Sequence, residues 1–124
     1  MLRLTVIVAI DPGKNIGVAV VSDDGELIKS EIICIEDLKT YSFPENATVL
    51  IGNGTSSQKI IKLLDIQAIL VDETNTSLIA RDLYFKDNPA KGLGRLIPIG
   101  LRSPDRLIDD YAAYAIALRY LGKL

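Results

Sequence analysis

The sequence predicts an α/β protein on a mixed five-stranded sheet, three antiparallel strands followed by parallel βα units, with helices on its flanks. Three observations predict it. The first third of the chain is a series of short β-branched runs separated by turn signals, the middle alternates short apolar runs with helical periodicity, and the chain closes on an alanine-rich helix. With 124 residues, 48% hydrophobic and 24% charged, there is material for one core, so residues 1–124 are expected to form a single domain.

Leu4 to Ile10 is the first run and breaks at D-P-G-K-N, and the second, I-G-V-A-V-V-S, follows at once. D-D-G-E is an Asp-Gly hairpin signal, and L-I-K-S-E-I-I-C beyond it supplies the third strand. Residues 35–47 are mixed: Pro44 and Asn46 mark a loop, with one helical turn at Glu36 to Lys39. T-V-L-I-G is a short buried strand. The loop N-G-T-S-S then leads into Q-K-I-I-K-L-L, whose Ile60, Ile61 and Leu64 share a helical face, with Ser56 or Ser57 as its cap. Q-A-I-L-V-D is a further continuous apolar strand, and E-T-N-T precedes a helix through S-L-I-A-R-D-L-Y-F. Strand, helix, strand, helix implies a parallel crossover. Residues 87–106 hold three prolines and three glycines among basic residues, a loop long enough to suggest a role, before the final helix L-I-D-D-Y-A-A-Y-A-I-A-L-R-Y-L.

Composition excludes several chemistries. There is no histidine, which removes Ser-His-Asp hydrolysis, Cys-His nucleophiles and imidazole bases. Cys34 is the one cysteine, so no intrachain disulfide or cysteine-based zinc site forms; within E-I-I-C-I it reads as a buried structural thiol. No apolar run reaches the roughly 18 residues needed to span a bilayer, and no cleavage signal follows the first run, which points to a cytoplasmic protein with no membrane partner. The net charge of −2 argues against a strongly basic nucleic-acid binder. It hides an asymmetry: residues 1–40 carry four basic and seven acidic side chains, whereas residues 81–106 carry six basic (Arg81, Lys86, Lys91, Arg95, Arg102, Arg106) and three acidic.

Catalysis in such a chain must run on carboxylates, hydroxyls, amines and hard metals. Asp11 ends the first strand, and Asp72 and Glu73 end the last. If strands one, four and five are parallel, these acids meet at the carboxyl edge of the sheet, where ligand crevices form. Asp109 and Asp110 open the final helix, and Ala112, Ala113, Ala115 and Ala117 would let that helix approach the sheet closely. Successive helical positions point about 100° apart, so one of the two faces the site squarely. Carboxylates gathered in one crevice repel unless a cation sits among them, and all-oxygen ligation suits Mg2+ or Mn2+. A pair of such ions supports phosphodiester hydrolysis. Each acid also has a plain structural reading: Asp11 as a turn former, and Asp72, Asp109 and Asp110 as helix-start residues.

V-A-I-D-P-G-K-N-I-G-V-A-V-V resembles the first-strand motif of the RuvC/YqgF branch of the ribonuclease H-like superfamily. V-D-E-T-N-T-S-L-I-A-R resembles the D-E-R-x-T-T segment of YqgF-type proteins, and I-D-D-Y-A-A-Y-A-I-A-L resembles their last, Asp-led helix. The resemblance covers most of the chain and implies a ribonuclease H-like fold and metal-dependent cleavage of structured nucleic acid, precursor ribosomal RNA or branched DNA. Carried over by motif, Asp11 is the central metal ligand, Glu73 the second carboxylate and Asp110 the third, with Asp109 as the fallback. The helix usual after the third strand is reduced or absent, and the Arg after D-E is Thr74 here. I-G-N-G-T-S-S-Q-K is also similar to a segment of the YqgF-like domain of Tex-type proteins, which implies an alternative: a nucleic-acid-binding module without turnover.

Lys14 is placed to approach a scissile phosphate, and Asn53, Thr55 and Ser56 of N-G-T-S-S offer a phosphate cradle at a helix start, or simply a capped loop. Arg81, Lys91, Arg95 and Arg102 can track a nucleic-acid backbone. Tyr84 and Phe85 read as core residues rather than base-stacking platforms. A sugar-kinase or actin-like ATPase would need two such domains, and the chain has no G-x-x-x-x-G-K-[ST] loop. Resolvases of the superfamily act as homodimers, an arrangement compatible with this chain.

Overall fold

The β-branched runs become β1 (Val6–Asp11), β2 (Ile16–Ser22) and β3 (Leu27–Ile33) in the computed structural model, which describes residues 6–54, 56–89, 92–98, 104 and 106–124. They are followed by α1 (Ile35–Lys39), β4 (Thr48–Gly52), α2 (Ser57–Leu64), β5 (Ile69–Val71), α3 (Thr76–Asp87), a 3-10 turn (Gly92–Leu96) and α4 (Asp109–Tyr120). The strands form one five-stranded mixed sheet in the order β3-β2-β1-β4-β5. β2 is antiparallel to β1 and β3, whereas β4 is parallel to β1 and β5 is parallel to β4. The carboxyl ends of β1, β4 and β5 therefore share one edge. The helix after β3 is reduced to five residues. No helix among the described residues is long and apolar enough to cross a membrane.

Both faces of the central strands are covered, so β1 and β2 are apolar at nearly every position. Ile7 and Ala9 of β1, with Ala19, Val21, Leu50 and Val71, pack against Ala113, Ile116 and Ala117 of α4. Val8 and Ile10, with Ile16, Val18, Val49 and Ile51, pack on the opposite face against Leu38 of α1 and Ile60 of α2. Side chains alternate along a strand, so Asp11 continues the Ile7–Ala9 face and is directed to the α4 side. α3 lies against α4 through Ala80, Tyr84, Tyr111 and Ala112, with the Tyr84 and Tyr111 rings edge-to-face at 5.7 Å.

β5 is open on its outer side, and one expectation, for Cys34, fails. β5 is an edge strand of three residues, and Ile69 and Leu70 are 43% and 46% exposed. Its apolar run reflects pairing with β4 on one side only, not burial on both faces. Cys34 is exposed, not buried; it stands at the N-cap of α1, where its Sγ lies 3.2 Å from Asp37 Oδ2.

One contact sets the height of α4 over the sheet. Gly17 is the ladder partner of Asp11, and a Cβ at Gly17 would fall 1.9 Å from the Asp109 carbonyl oxygen. No side chain fits there while the helix stays seated. Gly17→Ala is expected to destabilise the protein by about 1–3 kcal/mol through this overlap, read as a lower urea midpoint at unchanged m. Gly13→Ala, whose Cβ would meet nothing nearer than 3.4 Å, should change stability by less than about 0.5 kcal/mol; equal midpoints for the two variants would contradict the seating of α4 on β2.

Candidate carboxylate site

Asp11 leaves β1 at the rim because Pro12, itself buried, breaks the ladder immediately after it. Burial raises its pKa from 3.8 to about 7, with the charges of Glu73 and Asp109 and direct contact with the Glu73 side chain adding to the shift. Asp11 thus has two further carboxylates near enough to oppose its ionisation.

Glu73 is held by a turn that fixes its backbone at both ends. Its N–H donates to Asn53 Oδ1 at 3.3 Å, and its carbonyl accepts from the Thr76 N–H at 3.1 Å and the Thr76 hydroxyl at 2.8 Å. The preceding Asp72 faces away from the crevice. Its Oδ1 accepts from the Thr74 N–H at 3.0 Å and the Thr74 hydroxyl at 2.7 Å, its carbonyl accepts from Arg119 at 2.8 Å, and its pKa is lowered, chiefly by the Thr74 hydroxyl. Asp72 is a turn residue, in line with its structural reading.

The Glu73 carboxylate lies in space that two glycines leave open. A Cβ at Gly52 would fall 2.3 Å from Glu73 Oε2, and one at Gly54 would fall 2.0 Å from Oε1. The first part of N-G-T-S-S therefore borders the Glu73 carboxylate. The Asn53 and Ser57 N–H groups donate within the fold, to the Val71 and Gly54 carbonyls. Sequence reasoning passed over Gly17, Gly52 and Gly54; glycines adjoining strand ends that carry candidate acids were the available signal. Glu73 Oε2 is buried and accepts no hydrogen bond. Burial, more than the neighbouring Glu73 and Asp109 charges or the contact with the Glu73 side chain, holds Asp11 protonated to unusually high pH.

Of the two acids that open α4, Asp109 is the one that acts on Asp11 and lines the pocket, whereas Asp110, the residue the motif comparison implied, is engaged by Arg106 and Ser30. Asp109, Ala113 and Ala117 recur every four residues along the α4 face that packs on the sheet. Asp109 contributes to the raised pKa of Asp11, lines the same pocket, and has its own pKa raised mainly by burial. Asp110, one position further round, shares the face of Tyr114, whose hydroxyl donates to the Gly25 carbonyl at 2.7 Å in the β2–β3 turn. It is 4% exposed, accepts from Ser30 Oγ of β3 at 2.9 Å, and is paired with Arg106 at 3.0 Å.

The pocket has a volume of about 290 Å³ and is lined by Asp11, Ser77, Ala80, Arg81, Pro104, Arg106, Leu107, Ile108, Asp109 and Ala112. Of the expected nucleic-acid contacts, Arg81 borders it. Lys14 is exposed in the turn that follows Asp11, Asn53 is exposed beside Glu73, and Ser56 stands at the N-cap of α2 without a side-chain capping bond. Arg95 is exposed in the 3-10 turn, away from the pocket lining. Thr55, Lys91 and Arg102 lie outside the described residues. Tyr84 is buried in the α3–α4 interface, as a core residue would be.

Among the described residues, no three carboxylates stand in a ready-made metal-holding group. Asp11 and Glu73 nevertheless fit a hard cation: their donors are all oxygen, one buried oxygen lacks a donor, and their mutual contact requires a proton or a cation between them. No protein-family model matches the chain, and no curated protein matches its sequence.

The raised pKa of Asp11 has a definite sign in the metal-free protein. Below pH 3.8 the group is protonated in both folded and unfolded chains; between 3.8 and about 7 the folded chain binds more protons, so stability falls as pH rises. Asp11→Asn is therefore expected to stabilise the protein in chelator, with a gain at pH 8 that exceeds the gain at pH 4.5 by up to about 3 kcal/mol. Urea melts at the two pH values check this, and equal gains would mean that Asp11 ionises freely in the folded protein.

Proposed function

We propose that the chain is a divalent-metal-dependent endonuclease that hydrolyses phosphodiester bonds in structured nucleic acid, precursor ribosomal RNA or branched DNA. Within that class we assign it to the RuvC/YqgF branch of the ribonuclease H-like superfamily. The observation that carries the reading is the meeting of Asp11 and Glu73 at the carboxyl edge of the sheet, with Glu73 Oε2 buried and undonated and Asp109 across the pocket. The strand order β3-β2-β1-β4-β5, with its antiparallel half followed by parallel crossovers, supports the family assignment.

In this reading Asp11 and Glu73 bind Mg2+ or Mn2+, one ion or two, and Asp109 adds a carboxylate from the helix side. Bound there, the metal supplies an activated water and charge neutralisation at the leaving oxygen. Gly52 and Gly54 leave room for the Glu73 carboxylate, and Gly17 lets the backbone of Asp109 reach the rim. Lys14 approaches the strand from the open side of the site. Asp11 lines the pocket, through which water can reach it.

One observation favours a second reading, a binding module of the same fold without turnover: the three acids are not already gathered as a ligand set. Cation binding separates the two. Metal-free protein is expected to bind Mn2+ in titration calorimetry, and Asp11→Asn and Glu73→Gln to weaken that binding about 100-fold or more, beyond the cost of losing an outer partner. Cleavage of a four-way DNA junction or a precursor-rRNA stem should require Mg2+ or Mn2+ and disappear in Asp11→Asn, which stays folded. Full cleavage by Asp11→Asn, or in excess chelator, contradicts the metal mechanism; polynucleotide binding with neither Mn2+ affinity nor cleavage establishes the module.

A further inference from the structure

Arg106 is held as few surface arginines are. Its Nη1 donates to Asp110 Oδ1 at 3.0 Å and to the Leu107 carbonyl at 2.6 Å, and its Nη2 donates to Asp110 Oδ2 at 3.2 Å. The guanidinium lies 5.6 Å from the ring centroids of both Tyr84 and Tyr111. The frame is itself braced: the Tyr111 hydroxyl donates to Asp87 Oδ2 at 2.9 Å, and Ser30 donates to the Asp110 oxygen that Nη2 shares. Four elements, β3, α3, α4 and the segment before α4, thus fix one cation.

Stability alone does not account for this arrangement. The Arg106 side chain remains 47% exposed and borders the pocket that holds Asp11 and Asp109. A guanidinium has five N–H donors; among the described residues three are used, in the bonds above, which leaves Nε–H and one Nη2–H. Two adjacent donors in a fixed plane match two oxygens of a phosphate. Arg81 and the Ser77 hydroxyl, four residues apart on α3, border the same pocket and add polar groups to that wall.

We propose that Arg106 binds a phosphate of the polynucleotide in the pocket beside Asp11, and that Asp110 acts by holding Arg106 rather than by ligating a cation. This rests on the nucleic-acid reading above but not on turnover. Because Asp110 compensates its charge, Arg106 contributes direction more than long-range attraction. The strand is then anchored by one oriented phosphate next to the reacting one, which sets its register at Asp11. Asp110, reached from the sequence as a metal ligand, becomes a positioning residue.

The test uses Asp11→Asn as the binding platform, with fluorescence anisotropy of a labelled four-way DNA junction and a labelled stem-loop RNA in Mg2+. Adding Arg106→Gln or Arg106→Lys is expected to weaken binding of whichever probe binds by about tenfold, and the Gln variant to lower its salt slope by about one. Lysine should not rescue affinity, because it keeps the charge and loses the fork. In the otherwise wild-type chain, Arg106→Lys should raise KM more than it lowers kcat, and Asp110→Asn should weaken polynucleotide binding several-fold while Mn2+ affinity stays within twofold. If Arg106→Gln fails to fold, Arg106→Lys, whose stem still covers the two tyrosines, carries the test.

Unchanged binding in the Arg106 variants overturns the proposal, as does loss of Mn2+ affinity in Asp110→Asn. Inorganic phosphate that abolishes the Arg106 dependence without displacing the probe also overturns it, since a free phosphate would then be the ligand. Failure here is separable from failure of the enzyme reading. An inactive Asp11→Asn with Arg106 variants that bind normally removes this inference alone, and a fully active Asp11→Asn with Arg106-dependent binding removes the metal mechanism alone.

Discussion

Gly17 has no side chain, and the start of α4 rests where that side chain would be. Because Gly17 faces Asp11 across the β1–β2 ladder, the same vacancy brings the Asp109 backbone down beside the Asp11 carboxylate. The alanine seam of α4 depends on that height: Ala113 and Ala117 are small enough to reach Ala9, Ala19 and the other residues of the sheet face. Raising the helix by the size of one methyl group would open the α4 core and part Asp109 from Asp11 together. Fold packing and site geometry are here one constraint, not two.

The carboxylates oppose that constraint. Asp11, Glu73 and Asp109 are brought together by strand ends and a helix start, and burial with mutual repulsion drives Asp11 toward neutrality. A core built from apolar side chains on both faces of β1 and β2 tolerates such a rim, because Asp11 sits at the last rung of the ladder and Glu73 and Asp109 lie outside it. Glu73 needs the most help, and receives it from backbone: Asn53 and Thr76 fix the ends of its residue, while Gly52 and Gly54 leave the carboxylate room. The last helix uses its two acids for opposite purposes. Asp109 adds to the repulsion, and Asp110 is matched by Arg106 and Ser30.

Most of the element order was legible because its signals are local: β-branched runs, the D-D-G-E turn, and alanines at helical spacing. The positions of Asp11 and Glu73 were legible for the same reason, since Asp11 ends β1 and Glu73 stands two residues beyond β5. The choice between Asp109 and Asp110 turned on which α4 face meets the sheet. The sequence carried a clue, with alanines four and eight residues beyond Asp109 and Tyr114 and Leu118 at the same spacing from Asp110, but the motif spacing pointed the other way. From the sequence Arg106 is one basic residue among six in its segment, because its partners, Tyr84, Tyr111 and Asp110, meet only after α3 packs on α4. The exposure of Cys34 was not legible, because a hydrophobic run does not reveal whether a strand has a neighbour on each side.

β5 is three residues long, pairs only with β4, and leaves Ile69 and Leu70 in contact with water. Glu73 hangs from its end, joined to the central sheet by the Asn53–Val71 backbone bond and the Arg119 contact with Asp72. Short edges open more readily than centres. Peeling β5 away would carry Glu73 off Asp11 while β1, β2 and α4 stay folded, so the carboxylate pair can be dismantled without melting the protein. In hydrogen-exchange terms, amides at 69–73 are expected to be less protected than those of β1, which would make integrity of the site a separate equilibrium from integrity of the fold.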